Sequence, residues 1–123
     1  TQARVDEFGI CMPEGLRTIE PVGFYDFLML EKNARLVFTD SGGVQEECCA
    51  LQVPCITFRD DTERPETLQV GSNVLAGTHL AELDEQVTDM LGRSRNWPNP
   101  FGDGRAGERI MTILSDHENT GGS

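Results

Sequence analysis

At residues 35–51 a strand-forming run breaks on glycine and becomes a helix. RLVF, at 35–38, favours an extended backbone through Val37 and Phe38; TDSGG follows at 39–43, and the stretch from Val44 to Leu51 has few β-branched residues and suits a helix. The same alternation runs along most of the chain. LRTIE at 16–20 reads as a short strand broken by Pro21 and Gly23, and 24–34 as a helix with Phe24, Phe27, Leu28 and Leu30 near helical spacing and Asn33 at its stop. Strands follow at 34–39, at 53–58 with Pro54 at its beginning, and at 73–77, ended by Gly77. The segment 59–72 between the last two reads as a polar loop. Thr78 is placed to cap a helix over 80–93, where Leu80, Leu83, Val87, Met90 and Leu91 keep a 3-4 period. Ile110, Ile113 and Leu114 lie on a last helix at 105–114, and Gln2 to Phe8 is the end of a first one, with Gly9 at its C-cap. Four short strands alternating with helices predict an α/β fold: a parallel sheet with helices on both faces and right-handed crossovers. Ligands of such sheets bind at the carboxyl ends of the strands, where the SGG turn lies.

A chain of 123 residues has room for one domain and one modest core. Its formal charge of −11 repels a phosphate-rich polymer over most of the surface, which argues against a nucleic-acid partner. The basic residues are arginines apart from Lys32, and with 37% hydrophobic residues the chain reads as folded and heavily hydrated, a balance compatible with a high-salt cytoplasm. Cys11, Cys48, Cys49 and Cys55 contain no CxxC pair and are remote from His79 and His117, so a zinc site has little support; Cys48 and Cys49 read as small buried hydrophobes with reduced thiols. No apolar run approaches the roughly 20 residues that cross a bilayer, and no basic-then-apolar leader opens the chain. A cytoplasmic protein without a membrane partner is the expectation. Thr1 in place of methionine suggests a piece of something longer, and 116–123 reads as a polar, disordered tail.

At the SGG turn, Gly42 and Gly43 remove the side chains that keep a ligand off the backbone, while the first N–H groups of the next helix point outward with the positive end of its dipole. That is an anion site suited to phosphate, and Ser41 can add a hydroxyl donor. The alternative is that Asp40 and Ser41 only cap the helix and the glycines only turn it. Glu46 and Glu47, one turn on, can reach past a phosphate to accept hydrogen bonds from ribose hydroxyls, although first-turn carboxylates also serve the helix dipole alone. In RDDTERPET, 59–67, Arg59 and Arg64 can neutralise a diphosphate through bidentate forks, or simply belong to a solvated loop.

The run TDSGGVQEECCALQVPCITFRDDTERPETLQVGSNVLAGT resembles the C-terminal domain of non-hydrolysing UDP-N-acetylglucosamine 2-epimerases, marked by DSGG-x-QEE and then R-D-x-T-E-R-P-E, and NPFGDGRAGERI resembles that family's N-P-[YF]-G-D-G-x-A segment. The three motifs, in order, span about 16–114. Cys48-Cys49 stands where Ala-Pro is frequent, and Phe101 where tyrosine is also common.

The resemblance implies a Rossmann-like parallel sheet with flanking helices, part of the C-terminal domain of a two-domain GT-B-type architecture, with 1–115 as a partial nucleotide-sugar domain. It implies UDP or UDP-N-acetylglucosamine as ligand. Ser41, Gly42 and Gly43 would hold the diphosphate, Glu47 the ribose hydroxyls and Arg64 the neighbourhood of the phosphates, while Phe27 would pack on uracil and the backbone near Val22 read its edge. From the residues alone Phe27 reads as a core aromatic. No catalytic residue is expected in this chain: the acid-base carboxylates would come from an N-terminal domain, with which it would form the full enzyme, and neither metal nor cofactor is implied. The uncovered apolar surface of such a remnant predicts a homo-oligomer. A glycosyltransferase of the same architecture and a non-catalytic nucleotide-sugar sensor are the rival readings.

Overall fold

The structure, a computed structural model, describes residues 2–78 and 80–120. Three strands, β1 (Val37–Thr39), β2 (Cys55–Thr57) and β3 (Asn73–Leu75), form a parallel sheet in the order β1-β2-β3. Val37 pairs with Cys55, and Cys55 with Asn73. Between the strands run α3 (Gly42–Ala50) and α4 (Pro65–Gln69); α2 (Phe24–Asn33) precedes β1, and α5 (Leu83–Gly92) follows β3 after a 3-10 turn at Leu80–Glu82. α1 (Gln2–Glu7) and α6 (Ala106–Thr120) stand at the two ends.

Both faces of the sheet are covered. On one face, Cys48 of α3 packs with Val53 and Cys55, flanked by Ala34, Val37, Val44 and Leu51. On the other, Met90 of α5 packs with Ile56 and Ala76, flanked by Leu36, Val74, Leu83 and Val87. The period-2 alternation of Cys55 and Ile56 feeds the two clusters in turn. The chain beyond α5 is tied back to the sheet: the Arg93 guanidinium donates to the Gly71 carbonyl at 2.9 Å, Arg95 to that of Arg35 at 2.8 Å, and the buried Trp97 indole N–H to that of Cys49 at 2.9 Å.

Several expectations need correction. The 16–20 strand does not form; Leu16 and Ile19 are 57% exposed. They are three residues apart, so on a strand they would face opposite sides and offer no single apolar face. The 59–72 loop contains α4, which starts with Pro65 at its first position. Helix α3 begins at Gly42, so both glycines are helical. Glu82, not Thr78, precedes α5, and it makes no side-chain cap; the side chain of Leu80 and all of His79 lie outside the described residues. On α2 the apolar stripe is inverted: Phe24, Phe27 and Leu30 are exposed, and the buried residue is Glu31. α6 extends through Thr120, so 116–120 of the expected tail is helical, while 121–123 lies outside the described residues.

The ends of α1 and α2 follow the sequence. Gly9 takes a φ of 59°, and the N–H of Ile10 reaches the Val5 carbonyl at 3.0 Å, a left-handed C-cap. α2 stops at Asn33, whose side-chain amide donates to the Met29 carbonyl at 2.7 Å.

Candidate functional site

The junction between β1 and α3 puts a helix N-terminus at the carboxyl edge of the sheet. Ser41 is the N-cap of α3 in extended conformation, its N–H bonded to Thr39 Oγ1 at 3.0 Å, and its hydroxyl makes no capping bond to the helix. Ser41 thus holds the N-cap position without a side-chain cap, and as an exposed residue it stands beside the N–H groups of the first turn, which have no intrahelical acceptor. The space over Gly43 is open: among the described residues a Cβ there would find only Ser41 Oγ, at 3.8 Å. Over Gly42 it is filled by the Glu63 carboxylate.

The loop after β2 is fastened to this turn by a buried polar network. Gln45 is fully buried on α3; its Oε1 accepts from Thr62 Oγ1 at 2.5 Å and from Asn73 Nδ2 at 3.3 Å. Asn73 in turn donates to Thr67 Oγ1 at 3.2 Å and accepts from Thr57 Oγ1 at 2.8 Å. Such a network holds loop, helix and sheet in one arrangement because breaking any member strands the others without water. Thr62 also accepts the Arg64 N–H at 3.0 Å, so the arginine leaves the loop at a fixed point.

The two glutamates of the turn have different partners. Glu46 forms an ion pair with Arg64, which directs that guanidinium toward α3. Arg59 is turned to its own loop, pairing with Glu63 at 2.9 Å and Asp61 at 3.4 Å. The exposed Glu63 carboxyl sits below its usual range, first through its own backbone N–H and then through the charges of Arg59 and Arg64. Glu47, half-buried, faces the carboxyl of Glu31 from α2.

Ser41, Gly42, Gly43, Glu47 and Arg64 are thus gathered around the start of α3. Phe27 and Val22 lie at the beginning of α2 and just before it, 41% and 42% exposed, and neither belongs to a packed cluster, so Phe27 is not a core aromatic. Val22 lines an open apolar cleft of about 600 Å³ with Ile19, Met29 and Leu30. The NPFGDGRAGERI motif forms the start of α6, where Asp103 accepts two bonds from the Arg109 guanidinium at 3.0 and 2.7 Å and one from the Arg105 N–H at 3.1 Å. Asp103 and Arg109 are committed to that cap.

Sequence reasoning missed Glu31, Glu63 and the Gln45 network. Pro65 with Glu66 in the turn that follows was a helix-start signal within 59–72, but nothing local marks which carboxylates will meet. Cys48 and Cys49 are buried, as expected of small hydrophobes. Cys48, Cys49 and Cys55 are fully buried, and the hydrogen bond between Cys48 and Cys55, with burial, pushes the Cys48 thiol up.

A family model described as UDP-N-acetylglucosamine 2-epimerase matches residues 1–115. The chain is 55% identical over 119 residues to a UDP-N-acetylglucosamine 2-epimerase of Methanocaldococcus jannaschii, which covers 94% of this chain and 32% of that protein. A structure of UDP-GlcNAc 2-epimerase from that organism superimposes with a TM-score of 0.86 at 54% identity over 93% of this chain and 33% of its own. A second, in complex with UDP-GlcNAc and UDP, gives 0.82 at the same identity and coverage. The parallel α/β architecture is that of a portion of these GT-B enzymes, and the chain spans about a third of the length of the curated relatives it matches.

Proposed function

The chain belongs to the UDP-N-acetylglucosamine 2-epimerase family, and on that premise we propose that it forms the UDP-holding part of an enzyme interconverting UDP-N-acetylglucosamine and UDP-N-acetylmannosamine. In that reaction the C2 proton is removed and the C1–O bond to UDP breaks, giving 2-acetamidoglucal and UDP. Reprotonation of C2 on the other face and return of UDP to C1 complete it.

The observation that carries the reading is the open Gly43 at the start of α3 with Glu47 one turn along. Ser41, Gly42 and Gly43 take the diphosphate with hydroxyl and N–H donors, Arg64 adds charge beside it, and Glu47 accepts from the ribose hydroxyls. Negative charge grows on the departing diphosphate, so donors already aimed at its oxygens favour the transition state over the bound substrate. Phe27, exposed and outside the core, offers its ring to uracil, with the backbone at Val22 along the base edge. That the solved relative is a complex with UDP-GlcNAc and UDP supports the choice of ligand.

Residues 1–115 are, in this reading, part of a C-terminal nucleotide-sugar domain, and the acid-base carboxylates come from an N-terminal half across the cleft. The exposed side chains of Phe24 and Tyr25 on α2, 63% and 81%, and the second edge of β1 favour self-association. Free buried thiols go with a reducing cytoplasm, and no described helix is long and apolar enough to cross a membrane.

Proton NMR of UDP-N-acetylglucosamine in deuterated water tests the division of labour. The chain alone should leave C2 protonated, and a mixture with a matching N-terminal half should introduce deuterium there. Exchange by the chain alone would overturn the assignment of chemistry to the other half. Transfer of the sugar to an acceptor, without exchange at C2, would point to a glycosyltransferase.

A further inference from the structure

Glu31 is 3% exposed on α2, and neither oxygen of its carboxyl has a hydrogen-bond donor among the described residues. The side chain in reach is a second carboxyl, that of Glu47 on α3. Two ionised carboxylates present only lone pairs to each other, so their contact requires a shared proton. Burial, then the charge of Glu47 and a hydrogen bond to it, lift Glu31 to about 7. The other ionisable groups facing Glu31 are the thiols of Cys48 on α3 and Cys55 on β2. They bond to each other, which raises Cys48 and draws Cys55 down.

We propose that Glu31 is a positioning residue for nucleotide binding: in its protonated form it donates to one oxygen of Glu47 and leaves the other turned to the ribose hydroxyls. This rests on the reading that Glu47 holds the ribose. When Glu31 loses its proton the two carboxylates repel, Glu47 swings away, and the nucleoside part of the ligand loses its acceptor while the diphosphate keeps its own donors on α3. Glu31 touches no ligand atom; it acts only through Glu47.

The test is calorimetric titration of the 123-residue chain with UDP and with inorganic pyrophosphate from pH 6 to 9, read as the ratio of the two affinities. In the native chain that ratio should fall about tenfold over this range, the loss of a hydrogen bond to a charged group. Glu31→Gln carries an amide donor at every pH, so its ratio should stay at the native pH 6 value throughout. Glu31→Leu, without a donor, should be low at every pH. Cys55→Ala should follow the native curve; loss of the pH dependence in that variant would assign it to the thiol and overturn the proposal. So would a Glu31→Gln curve that tracks the native one, or a flat native curve, a measurement that needs no variant to fold. Glu47→Gln separates the two readings. If it leaves the ratio at pH 6 unchanged, the ribose assignment itself fails; if it lowers the ratio while Glu31→Gln and Glu31→Leu both match the native chain, only the role of Glu31 fails.

Discussion

The carboxylate of Glu63 rests against Gly42, in the space that a side chain on that glycine would occupy. The chain therefore places one of its own anions at the helix terminus to which a diphosphate is assigned. A carboxylate near a helix N-terminus is stabilised by the positive end of the helix dipole, weakly where it is exposed to solvent. An incoming diphosphate gives that up when it displaces Glu63. Glu63→Gln is accordingly expected to bind pyrophosphate about two- to fivefold more tightly than the native chain, measured by calorimetry at low salt. Unchanged or weaker binding would mean that Glu63 does not stand in the ligand's way.

Gly43 has open space where Gly42 does not. Gly43→Val should therefore leave the far-ultraviolet circular dichroism intact, since valine is a better helix former than glycine, yet abolish UDP binding by placing two methyl groups over the N–H donors. Retained UDP affinity would reduce the SGG turn to a turn.

Stability should depend on pH through Glu31. Its carboxyl holds its proton more tightly folded, at about 7, than at its ordinary value of 4.5, so the native state binds the extra proton between those limits. The contribution is fully present below about 4.5 and is lost as pH rises through 7. Urea midpoints should fall across that window by the equivalent of about 1 to 3 kcal/mol, and Glu31→Gln should flatten the fall. Asp103 acts in the opposite sense at lower pH: the Arg109 guanidinium holds its carboxyl below the ordinary range, so what it adds disappears on acidification.

Thiol accessibility provides an independent check on the core. Cys11 is exposed, whereas Cys48, Cys49 and Cys55 are at 0% exposure. One thiol of the four should react rapidly with an aromatic disulfide reagent in buffer, and all four in concentrated urea. Rapid reaction of a second thiol in buffer would mean that the α3 face of the sheet opens.

What the sequence made legible was local. The passage from Val37 through Ser41 to Glu47 announces strand, turn and helix within a dozen residues, and those residues do assemble at the start of α3. LRTIE misled because Leu16 and Ile19 only approximate alternation, and α2 misled because a stripe of Phe24, Phe27 and Leu30 says nothing about whether a surface exists to cover it. Glu31 ran against the pattern altogether. A buried acid is admissible only when something shares its proton or charge, and the something is Glu47 on another helix. Likewise, Glu63 meets Gly42 only because Thr62 and Gln45 fasten the loop to α3, a contact between segments that neither encodes alone.

The order β1-β2-β3 has a kinetic meaning. Val37 closes on Cys55 and Cys55 on Asn73 across equal spans of chain, so neither pairing waits on the joining of distant segments. Loop-closure entropy grows only slowly with length, and folding is fastest when contacts are near in sequence. β2 is the hinge of both events. The sheet can grow outward from it to either side, and the Thr62–Gln45 bond that fastens the TERPE loop to α3 likewise closes only a short span of chain.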